Sequence, residues 1–280
     1  MTPFELRPEA RALMLALAGD PADRYVEQLL VPGVSKAAQE RVESAEELER
    51  LFLDPYGCCC AMLGYYAFMR RGKDRLELGE IAGAAWRDCY PRERFGSFLE
   101  DQAADRVWEA FAKRCSERGR KPNESLNYGV VAGLVELVQD AFRATDGGSV
   151  AQYVGDAVER TGRLETEFMR IVDIRGVGPK FASIFLRDVV DTLDLEEGVS
   201  NVDRLYLQPM DKWVRLAARH ILSEEEADSA DWVLAGKLAK YARHSGVSGI
   251  RFNMGATYVG ARGSRDSGQF DSILRSLART

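Results

Sequence analysis

The stretch of the sequence best suited to bind a ligand is a glycine-containing turn, Arg175-Gly176-Val177-Gly178-Pro179. Gly176 and Gly178 can adopt backbone angles that a side chain forbids, and proline suits the first turn of a helix. A helix that begins at Pro179 leaves its first amides without intrahelical acceptors, and the helix dipole adds positive charge there. The turn therefore predicts a site for an anion such as a DNA phosphate, with Val177 packed inward.

Asp211 is a carboxylate whose neighbours in the sequence also suggest a specific role. The segment 208–218, QPMDKWVRLAA, places Asp211 directly before an amphipathic stretch that runs to about Leu222. Aspartate is a favoured N-cap because its side-chain oxygen accepts hydrogen bonds from first-turn amides. Taken alone, Asp211 is therefore best explained as a helix cap. Asp203 is a rival acidic residue, without the preceding proline and the following helix.

Helical segments surround both features. Apolar residues recur three and four apart, strand-like alternation is scarce, and the breaks fall at proline and glycine. The predicted helical segments are 9–18, 24–31, 45–53, 57–69, 102–115, 127–143, 150–160, 165–174, 180–193, 212–222 and 229–243. The chain is therefore predicted to be all-α. Its 280 residues favour two closely packed lobes.

Composition excludes several classes of function. No apolar run approaches the length of a membrane span, and the N-terminus lacks the features of a secretory leader, so we expect a cytoplasmic protein. Five cysteines, three of them consecutive, and two histidines form neither a disulfide framework nor a zinc pattern, so no metal is predicted. The net charge of −6 argues mildly against nucleic acid. Local basic clusters could still bind it: Arg70, Arg71, Lys73 and Arg75; Arg114, Arg118, Arg120 and Lys121; Arg243, Arg251, Arg262 and Arg265.

The full hairpin pattern resembles the helix-hairpin-helix motif of DNA-repair proteins, and in particular of the HhH-GPD DNA glycosylase superfamily. The residues that carry this resemblance are Ile171 and Ile174 before the turn, Gly-Val-Gly-x-Lys within it, and Ala182, Ile184, Phe185 and Leu186 after it. The segment with Pro209, Asp211 and Val214 is similar to the Pro-x-Asp-x-x-Val motif of the same family. The resemblance extends more thinly from Asp54 to about Gly260.

The resemblance implies a reaction centre made of Lys180 and Asp211. Lys180 occupies the position of the lysine that attacks the sugar covalently, and Asp211 that of the aspartate which stabilises the developing sugar cation. Asp211 lies 31 residues after Lys180, a longer spacing than in most relatives and similar to the archaeal 8-oxoguanine glycosylase branch. The target nucleotide would be rotated out of the duplex before its base is excised, with or without subsequent strand cleavage.

Further DNA contacts are expected on the same grounds. The turn Arg175-Gly176-Val177-Gly178 would grip the DNA backbone without reading sequence. Many relatives fill the gap in the duplex with a Ser-x-Gln segment, where this chain has Gly64, Tyr65 and Tyr66. Tyr65, Tyr66 and Trp213 are therefore the candidates for gap filling or base stacking, with Tyr206, Phe252 and Tyr258 as further aromatic candidates. Asp203 is a candidate base contact, and the cysteine loop that holds an iron–sulfur cluster in some branches is absent.

These observations predict a two-lobed HhH-GPD glycosylase-like fold with an interlobe cleft. The expected divisions are N-terminal helices at 1–53 that pack with the C-terminal part, a first lobe at 54–165, a hairpin and catalytic-aspartate lobe at 166–260, and a tail at 261–280, part of it loose.

We expect a monomer that binds modified DNA without a cofactor or membrane and associates with the nucleoid when bound. A noncatalytic DNA-binding protein and a helical protein-interaction scaffold are the alternatives. Oxidised guanine is the first candidate substrate, and alkylated, deaminated or hypermodified bases are open.

Overall fold

The structure is a computed structural model that describes residues 7–69, 74–100 and 102–279. Every regular element in these ranges is helical, with no β-strand among them, which confirms the all-α prediction. No helix in the described ranges has both the length and the apolar character needed to cross a membrane. The basic run at Arg70, Arg71 and Lys73 lies outside the described residues.

Sixteen α-helices follow one another in the described chain. In the first half they are α1 (Pro8–Ala18), α2 (Asp20–Tyr25), α3 (Val31–Ala38), α4 (Ala45–Leu53), α5 (Pro55–Ala61), α6 (Arg75–Cys89), α7 (Ala103–Glu117) and α8 (Glu124–Ala144). In the second half they are α9 (Val150–Thr161), α10 (Glu165–Val172), α11 (Pro179–Thr192), α12 (Lys212–Ile221), α13 (Glu224–Ala227), α14 (Asp231–His244), α15 (Gly249–Tyr258) and α16 (Ser267–Leu277). Short π-helical turns occur at Val26–Leu30, Met62–Tyr66 and Val259–Gly263, and 3₁₀ turns at Arg92–Leu99, Glu196–Gly198 and Arg204–Leu207.

The chain divides into two compact units. A central unit comprises Val31–Phe185, and a terminal unit comprises Met1–Leu30 together with Leu186–Thr280. This division differs from the predicted borders at 53, 165 and 260. Residues 31–53 belong to the central unit because α3 packs on α5 and α4 packs on α9. The hairpin between α10 and α11 also belongs to the central unit, whose border falls inside α11.

An aromatic cluster dominates one part of the central unit's core. Trp86 on α6 contacts Phe95 and Phe98 at ring-centroid distances of 6.0 and 5.7 Å, and Phe142 on α8 lies 5.3 Å from Phe98. Large edge-to-face ring contacts of this kind supply much of the apolar area that a core buries. The three consecutive cysteines, Cys58 to Cys60, are also fully buried and carry free thiols, as expected from the sequence.

Helix α6 was not among the predicted segments, and its packing explains why. A Cβ added at Gly79 would overlap the carbonyl oxygen of Gly64, and a Cβ at Gly83 would lie 3.3 Å from the Gly64 Cα. Helix α6 thus approaches its neighbour through glycine. A helix packed through small residues carries few large apolar side chains, so its periodicity is weak.

The terminal unit has its own core, built from α1, α12, α14, α15 and α16. Phe252 on α15 and Phe270 on α16 are both fully buried in it. The predicted loose tail is helical over Ser267–Leu277, because Asp266 caps α16 by accepting a hydrogen bond from the Gln269 amide at 2.9 Å. Burial of Phe270 and Leu274 then fixes α16 against α1 and α12.

Candidate functional site

The hairpin of the central unit ends α10 and begins α11 through a short hydrogen-bonded turn. The Val177 amide donates to the Ile174 carbonyl oxygen at 3.0 Å, and the Phe181 amide donates to the Gly178 carbonyl oxygen at 2.9 Å. Gly176 has a φ of +91°, in the region that side chains rarely adopt. Val177 is 7% exposed and so packs inward as the sequence predicts.

A glycine-lined face of α8 holds this turn in place. A Cβ added at Gly129 would lie 2.8 Å from the Arg175 Cβ, and one at Gly133 would lie 2.6 Å from the Ile174 Cγ2. From the other side, a Cβ on Gly176 would lie 2.7 Å from the Val130 Cγ2. The turn and α8 are therefore in contact through glycine on both partners. The sequence signal for this contact is the spacing of four residues between Gly129 and Gly133, which places both on one helix face.

The start of α11 offers donors for an anion. Pro179 has no amide hydrogen, and within the described ranges no acceptor binds the backbone amides of Gly176, Gly178 or Lys180. Unpaired amides at a helix N-terminus, together with the positive end of the helix dipole, favour a phosphate or carboxylate. Arg175 is exposed in the same turn. Arg175, Gly176 and Gly178 are three of the four residues predicted to contact a DNA backbone, whereas the amide of the fourth, Val177, already donates to the Ile174 carbonyl oxygen.

Lys180 is exposed in the first turn of α11. No carboxylate of the described chain forms an ion pair with its amine. The neighbouring Phe181 is buried and packs edge-on against Tyr66, with ring centroids 6.3 Å apart. Because successive helix residues lie on different faces, Phe181 anchors α11 while Lys180 projects outward. The protein itself does not desolvate the amine, so bound DNA would have to do so.

Asp211 of the terminal unit caps α12, as its sequence setting predicts. Its Oδ1 accepts hydrogen bonds from the backbone amides of Trp213 and Val214, both at 2.8 Å. Its Oδ2 accepts a third hydrogen bond from the Thr257 hydroxyl at 3.1 Å. The carboxylate is half-buried and held at both oxygens, so its orientation is fixed by α12 and α15 together.

A buried polar network supports the segment that precedes Asp211. The Asn253 side-chain amide donates to the Pro209 carbonyl oxygen at 3.3 Å and to the Gln208 Oε1 at 3.2 Å. Arg187 Nη1 in turn donates to the Asn253 Oδ1 at 2.9 Å, and Arg187 Nη2 binds Asp188 at 2.7 Å. Paired and hydrogen-bonded buried charges of this kind specify one local arrangement. Sequence reasoning missed the network, and the only sequence signal for it is the adjacent Arg-Asp pair in an otherwise apolar helix.

A second buried acid lies beyond this network. Burial raises the pKa of Asp191, at the end of α11, to about 6. The guanidinium of Arg251 on α15 acts in the opposite direction, with its Nη1 3.7 Å from the Asp191 Oδ1. Because Arg251 also binds Asp23, little of its charge is free for a nucleic acid.

Asp203, the rival carboxylate, is 1% exposed at the start of the turn Arg204–Leu207. Its side chain does not cap that turn. Asp211 is the more accessible of the two, which favours it as the residue that meets a substrate. The role of Asp203 as a base contact stays a prediction.

The aromatic candidates occupy different environments. Tyr66 and Phe252 are fully buried, and Tyr66 packs edge-on against Phe185 at 5.3 Å, so neither ring can stack on a base as it stands. Tyr65 is half-buried on the π-helical turn, 4.8 Å from the Tyr66 ring. Trp213 is half-buried with its ring against Gly260 and 5.1 Å from the Phe270 ring. Tyr65 is therefore the aromatic candidate of the central unit whose ring is not enclosed by the core.

Several cations of the predicted basic clusters are already paired. Arg114 binds Asp88 at 2.6 Å, Arg120 binds Asp74 at 3.1 Å, and Arg118 lies 3.6 Å from Glu80. Surface pairs of this kind are weak and exchange readily for other anions. Lys180 belongs to the central unit and Asp211 to the terminal unit, and their convergence on one sugar stays a prediction.

No family model matches the chain, and the searches returned neither a similar curated protein nor a similar solved structure.

Proposed function

We propose that the chain is a helix-hairpin-helix DNA glycosylase that excises a modified base. The observation that carries the proposal is the hairpin itself. Its turn is seated on α8 through glycine, the amides of Gly178 and Lys180 have no acceptor among the described residues, and an exposed lysine stands in the first turn of α11. The two-lobed glycosylase fold, as distinct from the all-α class, is part of this proposal.

The hairpin supplies the grip on DNA. A phosphate oxygen at the start of α11 would accept hydrogen bonds from the free amides, and Arg175 would add a mobile charge. Such contacts position the duplex without selecting a sequence. Seating the turn on α8 keeps the amides in one arrangement, so binding a phosphate requires little reordering of the protein.

Lys180 would supply the chemistry. The lone pair of its neutral amine attacks C1′ of the deoxyribose, and the C1′–N bond breaks with its electron pair leaving on the base, which takes up a proton. The attached amine loses a proton, and its lone pair then forms the C=N bond of a Schiff base as the C1′–O4′ bond breaks and O4′ takes up a proton, which opens the sugar ring. Asp211 would offset the positive charge that develops on the sugar, and its fixed orientation suits that task because no reorganisation is needed during the reaction.

The experiment is an excision assay on duplexes that carry single modified bases, with 8-oxoguanine first and alkylated, deaminated and hypermodified bases beside it. Wild-type protein should release one of these bases and should be trapped on the DNA by borohydride. Lys180→Arg preserves the charge but cannot form the Schiff base, so it should bind DNA and lose trapping. Lys113→Gln is the matched control, an exposed lysine on α7, and should behave as wild type. Retention of full trapping by Lys180→Arg would refute the assignment of Lys180.

The exposure of Lys180 favours one second candidate, a noncatalytic DNA-binding protein that uses the same hairpin. Both functions require DNA binding that weakens steeply with salt. They differ in excision: a protein that binds every duplex of the panel through the hairpin but releases no base is the noncatalytic form. A chain that binds no DNA at low salt contradicts both and leaves a protein-interaction scaffold.

A further inference from the structure

The central unit contains a cleft of about 810 Å³ that is separate from the hairpin turn. Its walls are α3, the π-helical turn Met62–Tyr66, α6 and α7. This volume is within the range of small-molecule sites. Turns of π-helix are rare and occur often at functional sites, so the one in this wall is a second and independent feature.

The cleft carries more positive than negative charge. Four cationic side chains and two carboxylates line it: Lys36, Arg87, Arg114 and Arg118, with Glu80 and Asp88. Asp88 is bound by one of these cations, Arg114, at 2.6 Å. Glu80 is shared by two, since Lys36 lies 2.6 Å and Arg118 3.6 Å from its oxygens. The Lys36 amine, and to a smaller extent Arg118, lowers the pKa of Glu80, so this carboxylate is ionised. Its single negative charge offsets only one of the two positive charges of Lys36 and Arg118.

Arg87 has no carboxylate partner in the described chain. Its Nη1 donates to the Ala37 carbonyl oxygen at 2.7 Å, and the guanidinium is near the Cys60 thiol, whose pKa it lowers against the larger opposite effect of burial. These neutral partners hold the side chain in place without cancelling its charge. A half-buried arginine that is positioned but not neutralised is suited to bind an anion through its remaining donors.

One wall of the cleft carries an aromatic side chain. Tyr65 is half-buried there, with one side of its ring against Gly33, where an added Cβ would overlap the ring. Gly64, Ala37 and Ala84 also line the cleft. An aromatic face close to cations matches a nucleobase that is joined to a phosphate.

We propose that this cleft binds a nucleotide, with Arg87 and Arg118 on the phosphate and the base against Tyr65. The ligand could reach the cleft as a free nucleotide or as one unit of a DNA strand, and the chemistry of recognition is the same. The proposal does not rest on base excision, because no residue of the predicted reaction centre lines the cleft.

Calorimetric titration of the whole chain with dGMP, inorganic phosphate and a short single-stranded oligonucleotide tests the proposal. Arg87→Gln and Arg118→Gln should each weaken nucleotide binding about fivefold, the effect of one nearby charge. Glu80→Gln should tighten it by a similar factor, because it removes a negative charge. Arg160→Gln is the control, an exposed arginine on α9 outside the cleft, and should leave the affinity unchanged.

The base and the phosphate are tested separately. Tyr65→Ala should weaken binding of dGMP and leave the weaker binding of inorganic phosphate unchanged. Binding of dGMP that weakens in Arg87→Gln and Arg118→Gln identifies the free nucleotide as a sufficient ligand. Binding of the oligonucleotide alone identifies a DNA strand if the same two variants weaken it, whereas oligonucleotide binding that they leave unchanged belongs to the hairpin and contradicts the proposal. Weaker nucleotide binding by Glu80→Gln would overturn the proposal. Affinities of Arg87→Gln and Arg118→Gln that equal those of the wild-type protein for every ligand would also overturn it. Circular dichroism of each variant verifies the fold, and none of these results depends on glycosylase activity.

Discussion

Replacing Gly176 by alanine tests how the hairpin is built. Two separate penalties apply at this position. Its φ of +91° is one that a side chain disfavours, at roughly 1–2 kcal/mol. The added Cβ would also lie 2.7 Å from the Val130 Cγ2, and overpacking of a tight contact costs about 1–3 kcal/mol. The expected loss in the free energy of unfolding is therefore about 2–5 kcal/mol.

Two other glycines separate these penalties. Gly119 has a φ of +67° with nothing near its Cβ position, so Gly119→Ala should show only the backbone cost, about 1–2 kcal/mol. Gly96 has open space and an ordinary φ, so Gly96→Ala should be nearly neutral. Urea unfolding followed by circular dichroism measures all three. In the double variant Gly176→Ala/Val130→Ala the added Cβ no longer meets the Val130 side chain, so the steric share of the lost stability should be recovered. A double-mutant cycle detects this recovery as coupling between the two positions.

The functional consequence of Gly176→Ala is expected in DNA affinity. Moving the turn away from α8 displaces the amides that would bind phosphate, so affinity should fall more than for Gly119→Ala at equal temperature and salt. The reasoning about the turn is refuted if Gly176→Ala costs no more stability than Gly119→Ala. It is also refuted if the double variant shows no coupling.

Three further outcomes are expected. Thr257→Val should slow base excision roughly ten- to hundredfold, because a hydrogen bond to a charged group is worth about 1.5–3 kcal/mol, and Thr257→Ser should keep the wild-type rate. The pKa of Asp191 is raised by burial from 3.8 to about 6, so its ionisation opposes folding above pH 6 and this cost vanishes as the pH falls below 4. Asp191→Asn should therefore raise the free energy of unfolding by up to about 3 kcal/mol at pH 8 and have little effect at pH 3.5 in denaturant titrations, and a gain that is the same at both pH values would contradict this. Burial raises the pKa of Cys58 to about 12, so thiol reagents should label Cys89 in the folded chain before Cys58, and simultaneous labelling would count against the buried cluster.

The hairpin and the helix cap could be predicted because their signals are local. Gly176, Gly178 and Pro179 define the turn within five residues, and Asp211 lies directly before the helix it caps. Such features depend on backbone geometry that a few adjacent residues determine. The all-α class was predictable for the same reason, since helical periodicity is read within one segment.

The support for these features could not be predicted, because it joins distant parts of the chain. Asn253 and Arg187 are 66 positions apart, and nothing local marks them as partners. Glycine is a weak helix former, so the sequence alone does not explain the glycines of α8. Their role is apparent only from the packing of the hairpin on this helix. The border inside α11 was missed because a continuous helix gives no break in the sequence pattern.

We propose that Lys180 attacks the same deoxyribose whose charge Asp211 stabilises. The most direct measurement is peptide mapping of the borohydride-trapped complex by mass spectrometry, on the modified duplex that the wild-type protein processes best. We expect a single DNA adduct on Lys180, formed at a much lower rate in Asp211→Asn. An adduct on another lysine, or an unchanged rate in Asp211→Asn, would contradict it.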